Sequence, residues 1–194
     1  MREYDFIKDY LCSTLSAKRF NHSEGTAKTA EELAIIYKED SKKAYLAGLV
    51  HDCTRETDMI DQNSMVKALG ITIDELTLST KDLLHAHTAE YLMINHFNIY
   101  DEKIISAVKF HTTGRENMSL LEKILFLADV IEPSRSFPGI EYIRQLAGDN
   151  IDEALLAAFE SSIKFLLGKR QMIHPNTVLA RNYILKHFTG KEMG

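Results

Sequence analysis

The chain has 194 residues, 45% hydrophobic and 26% charged, the profile of one folded domain and not of a disordered or fibrous chain. Lysine plus arginine number 23 against 28 acidic residues, a net charge of −5, which argues against a nucleic-acid partner because phosphate contacts need a basic face. Two cysteines, Cys12 and Cys53, are too few for a secreted disulfide scaffold, the opening MREYDFIKDY has no signal-peptide core, and no apolar run approaches a membrane span. A cytoplasmic protein without a membrane partner is expected.

Apolar residues recur at three and four through long stretches free of helix breakers, and the only prolines are Pro133, Pro138 and Pro175. The spacing predicts helices over 3–16, 22–38, 41–52, 57–69, 81–98, 101–111, 119–132, 140–147, 150–167 and 176–188. Asp40-Ser41 and Ser79-Thr80 read as caps. The run ITIDELTL (71–78) has the composition of a strand, but a single strand has no partner. LEK (121–123) reads as a solvated helix face, IEPSRSFPG (131–139) as a break forced by two prolines and a glycine, and GDN (148–150) as a helix stop followed by the next cap. No internal repeat is present. The fold class is all-α: one helical bundle of about ten helices.

The informative residues are histidines and aspartates on faces that should be buried. His22 heads a stripe of Gly25, Thr26, Thr29, Ala30 and Leu33. His51, followed by Asp52, ends a stripe of Ala44, Ala47 and Gly48. His85 shares a face with Ala89 and Leu92, His111 ends a stripe of Ile104, Ala107 and Val108, and Asp129 follows Leu121, Leu125 and Phe126. A lone histidine on such a face is more often a satisfied core residue, and Asp129 alone would pair with Arg135. Together, four imidazoles and two unpaired carboxylates in one core would cost several kcal/mol each. A divalent metal resolves the conflict by supplying positive charge, and mixed nitrogen and oxygen donors suit Fe, Mn, Zn or Co. The other histidines read more plainly: His87 as surface or support, His96 as core, His187 as a cation at a helix C-terminus, and His174 as the start of the last helix. Cys53 reads as a packed thiol.

In this order, His22, His51-Asp52, His85, His111 and Asp129 resemble the HD-domain metal-dependent phosphohydrolases, an all-α superfamily named for its His-Asp doublet. RFNHSEGTAKTAEELA (19–34), LAGLVHDCTRE (46–56), LLHAHTAEYL (83–92), KFHTTGRENMSLLEKILFLADVIEPSRSFPGIEYIR (109–144) and HPNTVLARN (174–182) further resemble the bacterial YqeK family within it. That resemblance implies symmetrical hydrolysis of diadenosine tetraphosphate to two ADP, with a small nucleotide as partner and one or two divalent ions, iron first and Mn, Co, Zn or Mg as alternatives. It implies His22, His51, Asp52 and Asp129 as metal ligands, with Asp52 and Asp129 holding the catalytic metal-activated water. His85 and His111 would complete a second metal site or bind phosphate. Arg135 would contact phosphate, and Gly25, Thr54, Arg55, Thr112, Ile173, His174, Pro175, Asn176, Thr177 and Val178 would be further nucleotide contacts.

On this reading one HD domain spans 1–194, with a metal-binding core of about 18–132 and helices of about 140–190 covering the nucleotide pocket. The resemblance breaks at Arg55, where many superfamily members have lysine; a phosphate contact survives, but a proton donor at neutral pH does not, because arginine stays charged. The alternatives are an HD phosphohydrolase of another nucleotide (a nucleoside monophosphate, a cyclic nucleotide or (p)ppGpp) and a nucleotide-binding sensor without turnover. A homodimer is compatible with all of these.

Overall fold

Caps and turn residues divide the chain into eleven helices, which the computed structural model describes over residues 4–188. They are α1 (Asp5–Thr14), α2 (Ala17–Tyr37), α3 (Ser41–Val50), α4 (Met59–Leu69), α5 (Glu75–Ser79), α6 (Lys81–Asn95), α7 (Glu102–Phe110), α8 (Leu120–Ile131), α9 (Ile140–Asp149), α10 (Ile151–Gly168) and α11 (Pro175–Phe188). No strand occurs among the described residues. The expected helix start at residue 3 and the ends of the domain at 1–3 and 189–194 lie outside them. Among the described residues no helix is long and apolar enough to cross a membrane.

The ten expected helices are all present, and the eleventh is a correction. ITIDELTL holds the short α5, because the Asp74 side chain accepts from the Thr77 N–H and starts a helical turn. Ser16 does the same for α2, which therefore begins at Ala17, five residues ahead of its expected start at 22. Asp40 caps α3 as expected, accepting from Lys42 and Lys43. Thr80 occupies the N-cap of α6 but makes no side-chain cap bond. The LEK expectation is overturned: Glu122 is 1% exposed. Its carboxylate closes a capping box with Ser119 and accepts from the Arg115 guanidinium and the Ser106 hydroxyl. His96 is also corrected, since it is exposed at the C-cap of α6 with its ring 5.7 Å from that of Tyr10.

α8 is the axis of the bundle. Leu121, Ile124, Leu125, Phe126, Leu127, Ala128 and Ile131 are all buried, so apolar residues cover nearly its whole circumference. α2, α3, α7, α9 and α10 pack around it. The small-residue stripes bring α2 and α3 unusually close: a Cβ on Gly48 would lie 2.6 Å from the Ala27 Cα. That approach carries His22 and His51 to ring centroids 5.2 Å apart.

Candidate metal centre

Two of the histidines end helices, and both are fixed the same way. His51 follows the last residue of α3, and its Nδ1–H donates to the Gly48 carbonyl at 2.7 Å. His111 follows α7, and its Nδ1–H donates to the Val108 carbonyl at 2.6 Å. Each ring bonds a carbonyl of the last helical turn, and in return its tautomer is set, with the Nε2 lone pair pointing inward. His22, inside α2, is held instead by a carboxylate: its Nδ1 lies 2.9 Å from Glu132 Oε1. Glu132 is 1% exposed and is clamped in turn by the Ser134 N–H and hydroxyl.

The free nitrogens converge on two aspartates. His22 Nε2 lies 3.0 Å from Asp129 Oδ1 and 3.6 Å from Asp52 Oδ2. His51 Nε2 lies 3.4 Å from Asp52 Oδ2, and His85 Nε2 lies 2.9 Å from Asp52 Oδ1 and 3.2 Å from His111 Nε2. Two donor sets share His51: His22, His51 and Asp129 form one, and His51, Asp52 and His111 the other. Burial works to raise the Asp52 carboxyl, but His51 and His85 overcome it and hold it well below the usual range. Asp129 is held low against burial by His22, Arg135 and His51. Burial, with His51 and His85 nearby, pushes His111 down to about 3, so its imidazole is neutral.

The donor set fits a divalent cation. The Nε2 atoms of His22 and His51 are buried and make no hydrogen bond, an expensive state for two imidazoles unless those lone pairs are ligands. Coordination requires ionised carboxylates, which Asp52 and Asp129 are, and it displaces the proton that, against burial, Asp52 and Asp129 favour on His51.

Asp129 and His111 also line a cavity of about 510 Å³, together with Asp82, Thr112 and Arg135. Arg135 reaches back to Asp129, with Nη2 2.5 Å from Oδ1 and Nε donating to the backbone carbonyl at 3.0 Å. Arg55 does not line the cavity but pairs at 2.6 Å with Asp82, which does. Other expected contacts fall elsewhere. Thr54 is fully buried and donates to the His85 carbonyl at 2.8 Å, so it anchors α6 and lines no part of this cavity. Gly25 makes room for Glu132, since a Cβ there would lie 2.7 Å from Oε2. None of Ile173, His174, Pro175, Asn176, Thr177 and Val178 lines the cavity. Instead His174 caps the start of α11, accepting from Asn176 N at 3.1 Å, and its Nε2 approaches Asp74 at 3.3 Å.

Glu132 and Arg19, which donates to Asp52 Oδ2 at 2.7 Å, escape the sequence reading. Both were findable: Arg19 precedes His22 by three residues and Glu132 follows Asp129 by three, so each extends a stripe already recognised. His87 is half-buried with an unpartnered Nδ1, and burial together with the Lys109 charge pushes it down to about 4. Cys53 is a buried free thiol raised far above its ordinary range by burial and the Asp52 charge.

An all-helical bundle whose helix ends and stripes gather histidines and aspartates around a His-Asp doublet defines a class. A family model described as the HD domain matches residues 19–134, and the chain belongs to the HD-domain family. Its relatives narrow the comparison. A protein of Halalkalibacterium halodurans named bis(5'-nucleosyl)-tetraphosphatase, symmetrical, is 39% identical over 88% of this chain and 91% of its own length. A Bacillus subtilis protein of the same name is 34% identical over 88% of this chain and 91% of its own length. A crystal structure from Clostridium acetobutylicum, described as a predicted HD superfamily hydrolase involved in NAD metabolism, is 42% identical. It superposes with a TM-score of 0.91 over 96% of this chain and 98% of that one.

Proposed function

We propose that this protein is a metal-dependent hydrolase that cleaves diadenosine tetraphosphate symmetrically and releases two molecules of ADP. The observation that carries the metal chemistry is the convergence of buried imidazole nitrogens and two ionised carboxylates in one cluster, which reaches an open cavity through Asp129 and His111. The substrate follows from the relatives, whose shared name covers almost their whole length and most of this chain.

His22, His51, Asp52 and Asp129 are the residues we assign to the metal, and iron is the metal we favour; the donor set also suits Mn, Co or Zn. Bound there, a divalent ion polarises phosphoryl oxygens and acidifies water to near neutral pH. The residues of the chain do the rest. Asp52 and Asp129 stay ionised at neutral pH and orient the attacking water toward the inner phosphates. His85 and His111 bring their Nε2 atoms to within 3.2 Å of each other; the His111 lone pair suits a second ion, and a phosphate oxygen would be met by His85. Arg135, 41% exposed at the cavity, offers its outer guanidinium edge to the charge that develops on the departing ADP. Arg55 and Arg19 are each tied to a carboxylate and hold Asp82 and Asp52 in place.

The test is an incubation with diadenosine tetraphosphate, with products separated by chromatography before chelation, after chelation and after addition of Fe(II), Mn(II), Co(II) or Mg(II). ADP as sole product, lost on chelation and restored by a metal, is the expected result. AMP plus ATP, or no turnover with any ion, overturns the proposal.

A further inference from the structure

The cavity lining divides into two chemistries. Asp129, His111 and Arg135 make up the polar part. Ser161, Ser162, Phe165 and Leu166, one turn apart on α10, make up the apolar end together with Phe137. Phe165 is 60% exposed and Phe137 only half-buried, so two aromatic rings stand open in a concave wall. Neither serine hydroxyl is bonded to a protein group among the described residues. These five residues lie beyond residues 19–134, the part of the chain that matches the HD family at large, while Leu83, Phe126 and Val130 within it complete the apolar lining. The metal cluster belongs to the family core, whereas the aromatic wall is added by the chain that follows it.

We infer that the apolar end is a nucleobase subsite, a reading that rests on the proposed nucleotide hydrolysis. Phosphates cannot occupy an apolar wall without losing their hydration, so an anionic nucleotide can lie in this cavity in one direction only. Its phosphates face Arg135 and the aspartate–histidine cluster, and its base lies against the rings of Phe165 and Phe137. Aromatic faces suit a base because every base offers a π surface, and free hydroxyls suit its polar edge because each can donate or accept. One such end is present in the cavity, so one nucleoside of the dinucleotide is gripped by its base and the other is held through the phosphate chain.

The experiment compares wild type with Phe165→Ala and with the double variant Ser161→Ala/Ser162→Ala. Phe165 is largely exposed, so its truncation leaves the core intact. Two readouts are taken: kcat and KM for diadenosine tetraphosphate, and calorimetric affinity for ADP and for inorganic pyrophosphate. Loss of base stacking predicts that Phe165→Ala raises KM and the ADP Kd by about 10- to 100-fold. It also predicts kcat within about twofold of wild type and an unchanged pyrophosphate Kd. The serine variant weakens ADP less and leaves pyrophosphate alone. Unchanged KM and ADP affinity in both variants overturn the subsite, and so does an equal loss of ADP and pyrophosphate. If wild type cleaves the tetraphosphate in those cases, the hydrolase reading survives. If wild type cleaves nothing while Phe165→Ala selectively loses ADP, the subsite stands and the hydrolase reading fails.

Discussion

The two ends of the cavity are built on opposite principles. At the metal end every ring of the core trio is over-determined: His51 by a carbonyl, His111 by a carbonyl, and His22 by a carboxylate that is itself clamped by Ser134. At the apolar end the side chains are open and their hydroxyls unpaired. Coordination demands donors fixed to within fractions of an ångström, and burial in a bundle of small-residue contacts provides that. Seating a flat ring demands only a wall of the right shape. The comparison assigns chemistry to the rigid core and selectivity to the later helices, and it can be broken from either side.

The largest effect is expected from Asp52→Ala. It removes the carboxylate that the Nε2 atoms of His22, His51 and His85 all approach, and turnover should fall by at least about 10³-fold with loss of bound metal, read by elemental analysis. Helix content should stay near wild type, because Asp52 lies in the turn after α3. Full activity in purified Asp52→Ala would show that the centre is elsewhere. Next comes Glu132→Gln, which keeps the shape but replaces one acceptor oxygen by an amide donor facing the Ser134 clamp. Metal affinity should drop by about 10- to 100-fold, measured by competition with a chelator, while kcat at saturating metal changes far less. An unchanged affinity would mean that Glu132 is packing alone.

How much of this was legible in the sequence follows from the same contrast. The histidines and Asp129 were legible because helical periodicity puts them on stripes of small or apolar residues, where a polar group has to be explained. Glu132 extends the Asp129 stripe by three residues but sits before a proline, where a sequence reads as a break, so its burial against a partner 110 residues away was missed. The 71–78 run looked extended because of its isoleucines and threonines, but the cap at Asp74 decides the local structure. Ser119 and Glu122 carried the spacing of a capping box and were legible in principle. The aromatic wall was not legible at all: Phe137 and Phe165 line one cavity only because α9 and α10 pack against α8, a fact of tertiary packing. The same limit applies to 173–178, which lines no part of this cavity, since a motif's place in the chain does not say which helix end it docks against.

Gly25→Ala sharpens the comparison from within the core. The added Cβ would press on Glu132 Oε2 from 2.7 Å, so the carboxylate must move off His22. Overpacking of this kind costs about 1–3 kcal/mol, read as a lower denaturant midpoint, with a metal-affinity loss in the same direction as in Glu132→Gln. The double variant Gly25→Ala/Glu132→Gln should lose less than the sum of the two, because both act on one contact. Additive losses would place Gly25 on some other path.

The smallest effect tests whether the 173–178 segment is structural. Asp74→Ala removes the cap of α5 and the partner of His174, for about 1 kcal/mol of stability, and should leave KM and kcat unchanged. The difference also has a pH signature. Burial works to raise the Asp74 carboxyl, but the Thr77 N–H and hydroxyl and His174 hold it at about 2. A carboxyl lowered on folding stabilises above its unfolded pKa of about 3.9, and that contribution is lost as pH falls through the folded value. The stability gap between wild type and Asp74→Ala should therefore be full at pH 5 to 7 and close as the pH falls from about 4 toward 2. The carboxylate is half-exposed, so solvent screening keeps the gap small. A gap that is constant with pH would mean that the cap works through shape alone, and a raised KM would return 173–178 to the nucleotide pocket.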